Sequence, residues 1–249
     1  MKARELVYGW HAVEALCERD PAGVTEIWVQ QDRRDPRIER VVERAVHQGI
    51  ALHRASRKAL DRMTAHAPHQ GVVVAYREVS SRGGAEDLER LVAQAPAPVL
   101  LLVLDGVQDP HNLGACLRTA DAAGARAVVI PRHRAAGLTA AARKAASGAA
   151  EAISLVRVTN LARSLSELRG AGVRVVGAAG EAAGSLYDAD LTGPLAIVIG
   201  GEGRGLRRLT REHCDALVRI PTAGHTGTLN VSVAAGVCLF EALRQRTRR

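Results

Sequence analysis

Along the first 76 residues apolar positions recur in short blocks whose period keeps changing. From His11 to Arg19 they fall at Val13, Leu16 and Cys17, one face of a helix. Val24–Val29 alternates like a strand. Pro36 opens a helix that carries Ile38, Val41, Val42 and Ala45 and ends near Gly49. Ile50–His53 predicts a short strand, Ser56 the N-cap of another helix, and Gly71–Ala75 a buried strand. Residues 1–78 therefore predict a small α/β domain.

The pattern weakens over 79–97. Ser80-Ser81-Arg82-Gly83-Gly84 predicts a flexible stretch, Ala85–Ala95 a helix, and Pro96-Ala97-Pro98 a stiff exit, so this segment is expected to link two domains. Residues 98–249 resume with strands expected at Val99–Leu104, Ala127–Ile130, Val173–Ala178, Leu195–Gly200 and Ala216–Ile220, and a weaker one at Ile153–Val156. Helices are expected at Asn112–Ala123, Thr139–Ser147, Leu161–Arg169, Gly205–His213 and Leu229–Arg246, with fraying from Arg244 onward. Strand and helix in alternation predict a mostly parallel sheet covered on both faces, a fold that binds ligands at the carboxyl ends of its strands.

Charge adds a hint about the partner. The chain carries +8, with 34 basic residues of which only Lys2, Lys58 and Lys144 are lysine. Residues 98–249 hold 19 basic against 12 acidic side chains, and so most of the excess. A basic balance suits a polyanion, and arginine's planar fork suits phosphate, although a GC-rich coding sequence would give the same arginine excess. Six aromatic residues in 249 argue against a base-stacking platform. Cys17, Cys116, Cys214 and Cys238 contain no Cys-x-x-Cys pair, so structural zinc is not expected, and Cys116 and Cys238 read as small core residues. No apolar run reaches the roughly 18 residues of a membrane span, and no apolar stretch follows Met1–Glu5 as in a signal peptide. The expected location is the cytoplasm.

Three segments carry candidate chemistry. In Leu104–Ala120 a buried strand ends in a tight polar loop and a helix begins near Asn112, itself a good N-cap residue; Arg118 follows on a stretch of small apolar residues where a long cation should need a partner. In Leu195–Leu206 an apolar strand runs into four glycines within six residues. Their spacing lacks the two-residue gap of a dinucleotide fingerprint, and Glu202 would repel a pyrophosphate. A bare backbone with one acid suits a neutral or cationic ligand, or a turn that needs positive φ. In Val218–Gly236 a strand stops at Pro221, a small polar loop follows, and a helix begins. Asn230 and Ser232 are placed either to touch substrate or to cap that helix, while Val231, Val233, Ala234, Val237 and Leu239 read as core, on a helix small enough to pack against another subunit.

Together these segments resemble the SpoU/TrmH family of RNA ribose methyltransferases. The matching pieces are Asn112-x-Gly114-x-x-x-Arg118, Ile199-Gly200-x-Glu202-x-x-Gly205 and Leu229-Asn230-Val231-Ser232-Val233-Ala234, in the family's order and spacing. Gly9-Trp10-His11-Ala12-Val13 and His69-Gln70-Gly71 resemble its small N-terminal RNA-binding domain, so the likeness covers nearly the whole chain. Asp109–Arg118 and Arg208–Asp215 are similar to the subgroup that methylates a guanosine ribose in 23S ribosomal RNA. The resemblance implies an α/β fold whose C-terminal, trefoil-knotted (SPOUT-type) domain follows a small N-terminal RNA-binding domain. It implies a homodimer with its active site at the subunit interface, an RNA substrate, no DNA or membrane partner, and S-adenosylmethionine as cofactor. By motif position Gly180, Gly200, Ile220 and Leu229 hold the cofactor, and Asn112, Arg118, Glu202 and Asn230 form the catalytic set, with no metal. Within the family tRNA or another rRNA loop is the alternative target. One departure stands out: relatives often carry Ser-Ser before Leu-Asn, where this chain has Gly227-Thr228.

Overall fold

The computed structural model describes residues 5–19, 21–33, 35–47, 49–76, 85–95, 98–225 and 227–247. The chain divides into two compact units, Met1–Ser81 with Ser147–Ala152, and Arg82–Ala146 with Ile153–Arg249.

The first unit runs β1 (Glu5–Tyr8), α1 (Trp10–Arg19), β2 (Val24–Gln30), α2 (Pro36–His47), β3 (Ala51–Ala55), α3 (Arg57–Met63) and β4 (Val72–Tyr76). Its sheet has the order β1-β4-β2-β3, with β4 antiparallel to both neighbours and β2 parallel to β3. Val13, Leu16, Ile27, Val29, Val72 and Val74 fill the core between sheet and helices. Ser56 caps α3 by accepting from Ala59 N at 3.3 Å. β1 has no counterpart among the sequence expectations: four residues with one fully buried side chain, Val7, are too short to show a period.

The chain continues through α4 (Ala85–Ala93), β5 (Leu100–Asp105), α5 (Pro110–Ala122), β6 (Ala127–Pro131), α6 (Ala140–Ala146), α7 (Ala149–Ala152), β7 (Ser154–Val158), α8 (Leu161–Gly170), β8 (Arg174–Ala178), the two-residue β9 (Gly184–Ser185), β10 (Leu195–Gly200), α9 (Arg208–Glu212), β11 (Ala216–Arg219) and α10 (Val231–Thr247). Of these the short α7 belongs to the first unit and the rest to the second. The strands of the second unit form one parallel sheet in the order β7-β6-β5-β10-β8-β11-β9. β5 and β10 lie centrally and bury both faces, which is why they read as unbroken apolar runs. Leu101, Val103, Val129, Leu165, Val175 and Val198 share one core cluster. The expected flexible stretch Ser80–Gly84, and Pro96-Ala97 of the expected stiff exit, lie outside the described residues.

Four local expectations are corrected. The cap of α5 is Asp109, which accepts from His111 N at 2.9 Å, because Pro110 takes the first helical position where its missing N–H costs nothing. Asn112 therefore sits inside the first turn with its side chain free for other work. The helix expected from Gly205 begins only at Arg208, since Gly203 and Gly205 hold φ of +74° and +61° in a tight loop. Val233, expected in the core, is 50% exposed, and α10 runs to Thr247, past the expected fraying point at Arg244.

Candidate active site

The carboxyl ends of β8, β10 and β11 open into one cavity of about 700 Å³, walled by the loops that follow those strands. Crowding makes the loop after β10 glycine-dependent. A Cβ on Gly200 would lie 2.1 Å from the backbone carbon of Gly205, and one on Gly201 would lie 2.5 Å from Gly106 O. The backbone folds back on itself there, bridged between Gly201 and Gly205, and presents bare peptide groups to the cavity.

Two buried anchors hold this loop against β5. Gly201 N donates to Asp105 O at 3.0 Å, and Arg207 N donates to Asp105 Oδ2 at 2.8 Å. Asp105 is 2% exposed, and the Arg207 guanidinium lies 3.5 Å from its Oδ1, so the carboxylate's charge is compensated by a side chain that itself reaches solvent.

A chain of side-chain hydrogen bonds crosses the cavity rim. Asn230 Oδ1 accepts from Ser232 N at 2.8 Å and from Ser232 Oγ at 2.7 Å. Asn230 Nδ2 donates to Asn112 Oδ1 at 3.1 Å, and Asn112 Nδ2 donates to Glu202. A backbone N–H can only donate, so Ser232 fixes the orientation of Asn230, which fixes that of Asn112, which delivers a donor to the Glu202 carboxylate. The first turn of α5 and the loops after β10 and β11 thus meet in one polar line that ends in a negative charge on the cavity wall.

Of the expected cofactor residues, Gly180, Gly200, Ile220 and Leu229 all line the cavity. Of the expected catalytic set, Glu202 and Asn230 line it and Asn112 is bonded to both. Asn230 takes the capping role, holding the start of α10 through Oδ1, and its Nδ2 meets Asn112. Arg118 stands apart. It is exposed on α5, outside the cavity wall, and makes no hydrogen bond or ion pair with any described residue, so the partner expected for this cation is not found among them. α10 packs against α5, where a Cβ on Gly236 would approach Thr119 to 3.4 Å. The outer side of α10 exposes Val233 and Phe240, at 50% and 47%.

Sequence reasoning did not single out Glu181 and Arg211, which form an ion pair on the cavity wall. The hydrogen bond from Arg211 holds the Glu181 carboxyl below its ordinary range. No spacing signal could have found them, since the pair joins the loop after β8 to α9, 30 residues on. The pairing of Asp105, the aspartate that closes the first motif's strand, with Arg207 was likewise not legible in the sequence. Among the described residues no group of three or more His, Cys, Asp or Glu side chains is arranged to hold a metal ion.

Residues 99–240 match the SpoU rRNA Methylase family, and residues 6–81 match the RNA 2'-O ribose methyltransferase substrate binding family. The chain is 55% identical over 249 residues to the 23S rRNA (guanosine-2'-O-)-methyltransferase RlmB of Pseudomonas syringae pv. tomato, covering 100% of this chain and 99% of that one. It is 54% identical over 247 residues to the enzyme of the same name from Pseudomonas aeruginosa, covering 99% of each. Its fold is similar to that of an AdoMet-bound rRNA methyltransferase from Sinorhizobium meliloti, with a TM-score of 0.79 and 28% identity over 97% of this chain and 87% of that one. It is equally similar to the SpoU methyltransferase AviRb from Streptomyces viridochromogenes in complex with AdoMet, with a TM-score of 0.79 and 26% identity over 98% and 91%.

Proposed function

The chain belongs to the SpoU rRNA methylase family, and from that membership we propose that it transfers a methyl group from S-adenosylmethionine to the ribose 2'-hydroxyl of a guanosine in 23S ribosomal RNA. The observation that carries this reading is the hydrogen-bonded line Asn230–Asn112–Glu202 at the edge of a glycine-cradled cavity. Residues 1–78 would bind RNA, 79–97 link, and 98–249 carry the chemistry in a trefoil-knotted domain. The match of residues 6–81 to a substrate-binding family supports the first assignment.

The cavity fits the cofactor in size and chemistry. Its volume lies in the range of about 300–1,000 Å³ common for small-molecule sites. Gly200 would hold it by backbone, because nothing larger than hydrogen fits there, and Gly180, Ile220 and Leu229 complete the cradle. S-adenosylmethionine, when bound, supplies an activated methyl group on a positively charged sulfur. Glu202 gives the cavity rim a negative charge that favours such a cation over a pyrophosphate. Asn112 and Asn230 hold that carboxylate in one orientation without reorganisation at the moment of reaction.

A ribose hydroxyl is a poor acid, so the protein's remaining task is to ease its deprotonation. Arg118 is the group assigned to it. A guanidinium is hard to deprotonate, which favours a role in fixing the neighbouring phosphate and stabilising the developing alkoxide. Because Arg118 does not face its own chain's cavity, it would act in the cavity of a second copy. The exposed apolar side of α10, next to α5, supports a homodimer built on these two helices. No helix among the described residues is long and apolar enough to cross a membrane, and the proposed workplace is the cytoplasm, where the RNA substrate is. Incubating the purified protein with labelled S-adenosylmethionine and a mixture of unmodified 23S rRNA and tRNA tests the reading. One 2'-O-methylguanosine is expected; label confined to tRNA would overturn the proposed substrate.

A further inference from the structure

A second cluster of side chains stands at the same end of the parallel sheet, beyond the cavity. β6 ends at Pro131 and is followed by Arg132-His133-Arg134, all exposed. This loop is stitched down on both sides. Arg132 N donates to Val158 O, at the end of β7, and Ala136 N donates to Val107 O, in the loop after β5, each at 2.8 Å. Arg134 is held at φ +58°, a conformation that side chains other than glycine rarely adopt, so its direction is imposed by the surrounding backbone. On β7 the exposed Arg157 lays its Nη2 within 3.7 Å of the Cβ position of Gly137. Toward the cavity, Arg207 lays its own Nη2 2.8 Å from the Cβ position of Gly106, to which Arg134 O is also near at 3.7 Å.

Two carboxylates of the neighbouring loop after β5 are already engaged. Asp105 is buried against Arg207, and Asp109 caps α5. Neither Arg134 nor Arg157 forms an ion pair with any described residue. With Arg132, they place three exposed arginines across the ends of β6 and β7, beside the loop that leads into Asn112. A planar, solvent-facing guanidinium is suited to a phosphate, and several close together suit a chain of phosphates. With six aromatic residues in the whole chain, grip through the backbone rather than through stacked bases is the mode this protein is equipped for.

We infer that Arg132, Arg134 and Arg157 form a phosphate track that grips the RNA backbone beside the nucleotide to be methylated, independently of its sequence. This rests on the RNA methyltransferase reading above. The experiment uses the full chain with the triple change Arg132→Gln, Arg134→Gln and Arg157→Gln, and a control with Arg126→Gln, Arg163→Gln and Arg174→Gln, which removes the same charge from elsewhere on the unit. Binding of unmodified 23S rRNA is measured over a salt series, alongside S-adenosylmethionine affinity and methyl transfer. The track variant should lose about tenfold or more in RNA affinity, and its salt slope should fall by about 2, close to three released counterions at about 0.7–0.9 each. Its KM for RNA should rise while kcat stays within about twofold and cofactor affinity is unchanged. The control should keep most of its RNA affinity. An unaltered RNA affinity and slope in the track variant, or an equal loss in the control, overturns the inference. The single change Arg157→Gln, on an exposed edge strand, should lower the slope by about 0.7–0.9 and repeats the test if the triple variant is unstable. A wild-type chain that methylates no RNA would instead sink the functional reading, leaving RNA binding by the track to be judged from the affinities alone.

Discussion

Asn230 and Asn112 face each other with their amides in opposite sense, the nitrogen of Asn230 3.1 Å from the oxygen of Asn112, across 118 residues of chain. The sense of this contact is dictated by Ser232, whose backbone N–H can bond only to the oxygen of Asn230. Every donor along the line therefore points toward Glu202.

That directionality makes the line sensitive to isosteric change. Asn230→Asp keeps the shape but places an acceptor opposite Asn112 Oδ1. It should cost on the order of 10²-fold in kcat/KM, the scale of losing one preorganised donor, while the thermal midpoint moves by only a few degrees. Steady-state kinetics with a melting curve on the same preparation checks it; wild-type turnover would show that the line has no part in catalysis.

Asn112→Asp carries a pH signature. Two carboxylates facing each other cannot both ionise without cost, so the pair takes up a shared proton as pH falls. The new carboxyl group, once protonated, can donate to Glu202 as the Asn112 amide does. The variant's deficit, on the order of 10²-fold at about pH 8, should narrow toward about pH 6. A deficit that is flat across that window would contradict the donor role of Asn112.

Gly200→Ala tests the cradle. Its new methyl would collide with the backbone of Gly205, which must move and reshape the cavity wall. Cofactor affinity should fall at least tenfold, read by titration calorimetry, a loss of about 1.4 kcal/mol or more. Unchanged affinity would remove this loop from the cofactor site.

Arg118→Ala and Asn230→Ala should each be inactive alone and regain activity when unfolded and refolded together. If Arg118 serves the other copy's cavity, half of the mixed dimers are heterodimers with one intact site, giving about a quarter of wild-type turnover. No recovery would place both residues in one copy's site.

Cys116 and Cys238 link stability to alkaline pH. Burial pushes both thiols up from 9.0 to about 12. A folded-state pKa raised above the unfolded value favours the native state below about pH 9, and that advantage is lost as pH climbs toward about 12. Each thiol should steepen the fall by up to about 1.4 kcal/mol per pH unit within this window. Urea midpoints at about pH 8 and about pH 10 should differ less in Cys116→Ala than in wild type.

Much of this architecture was legible because parallel strands buried on both faces write themselves as unbroken apolar runs. Val99–Leu104 and Leu195–Gly200 are such runs, and both are central strands. What was not legible depends on partners distant in the chain. Asn112 read as a cap because its neighbours favour a helix start, and only Pro110 behind Asp109 moves the cap away. Val233 read as core because its residue type matched Val231 and Leu239, yet it projects from the uncovered side of α10. Glu181 and Arg211 could not be paired from sequence, since no motif or shared period connects them. The loop glycines were legible as special, but which of them turn the chain and which permit close approach required the backbone: Gly203 and Gly205 take positive φ, while Gly200 and Gly201 leave room for neighbouring backbone.

The most direct test of the central claim is a site-resolved map of 2'-O-methylation in 23S rRNA from cells with and without this chain, repeated with the Asn112→Asp variant. One guanosine should lose its ribose methyl group when the chain is removed, regain it with wild type, and stay largely unmodified with the variant. An identical map in the presence and absence of the chain would contradict it.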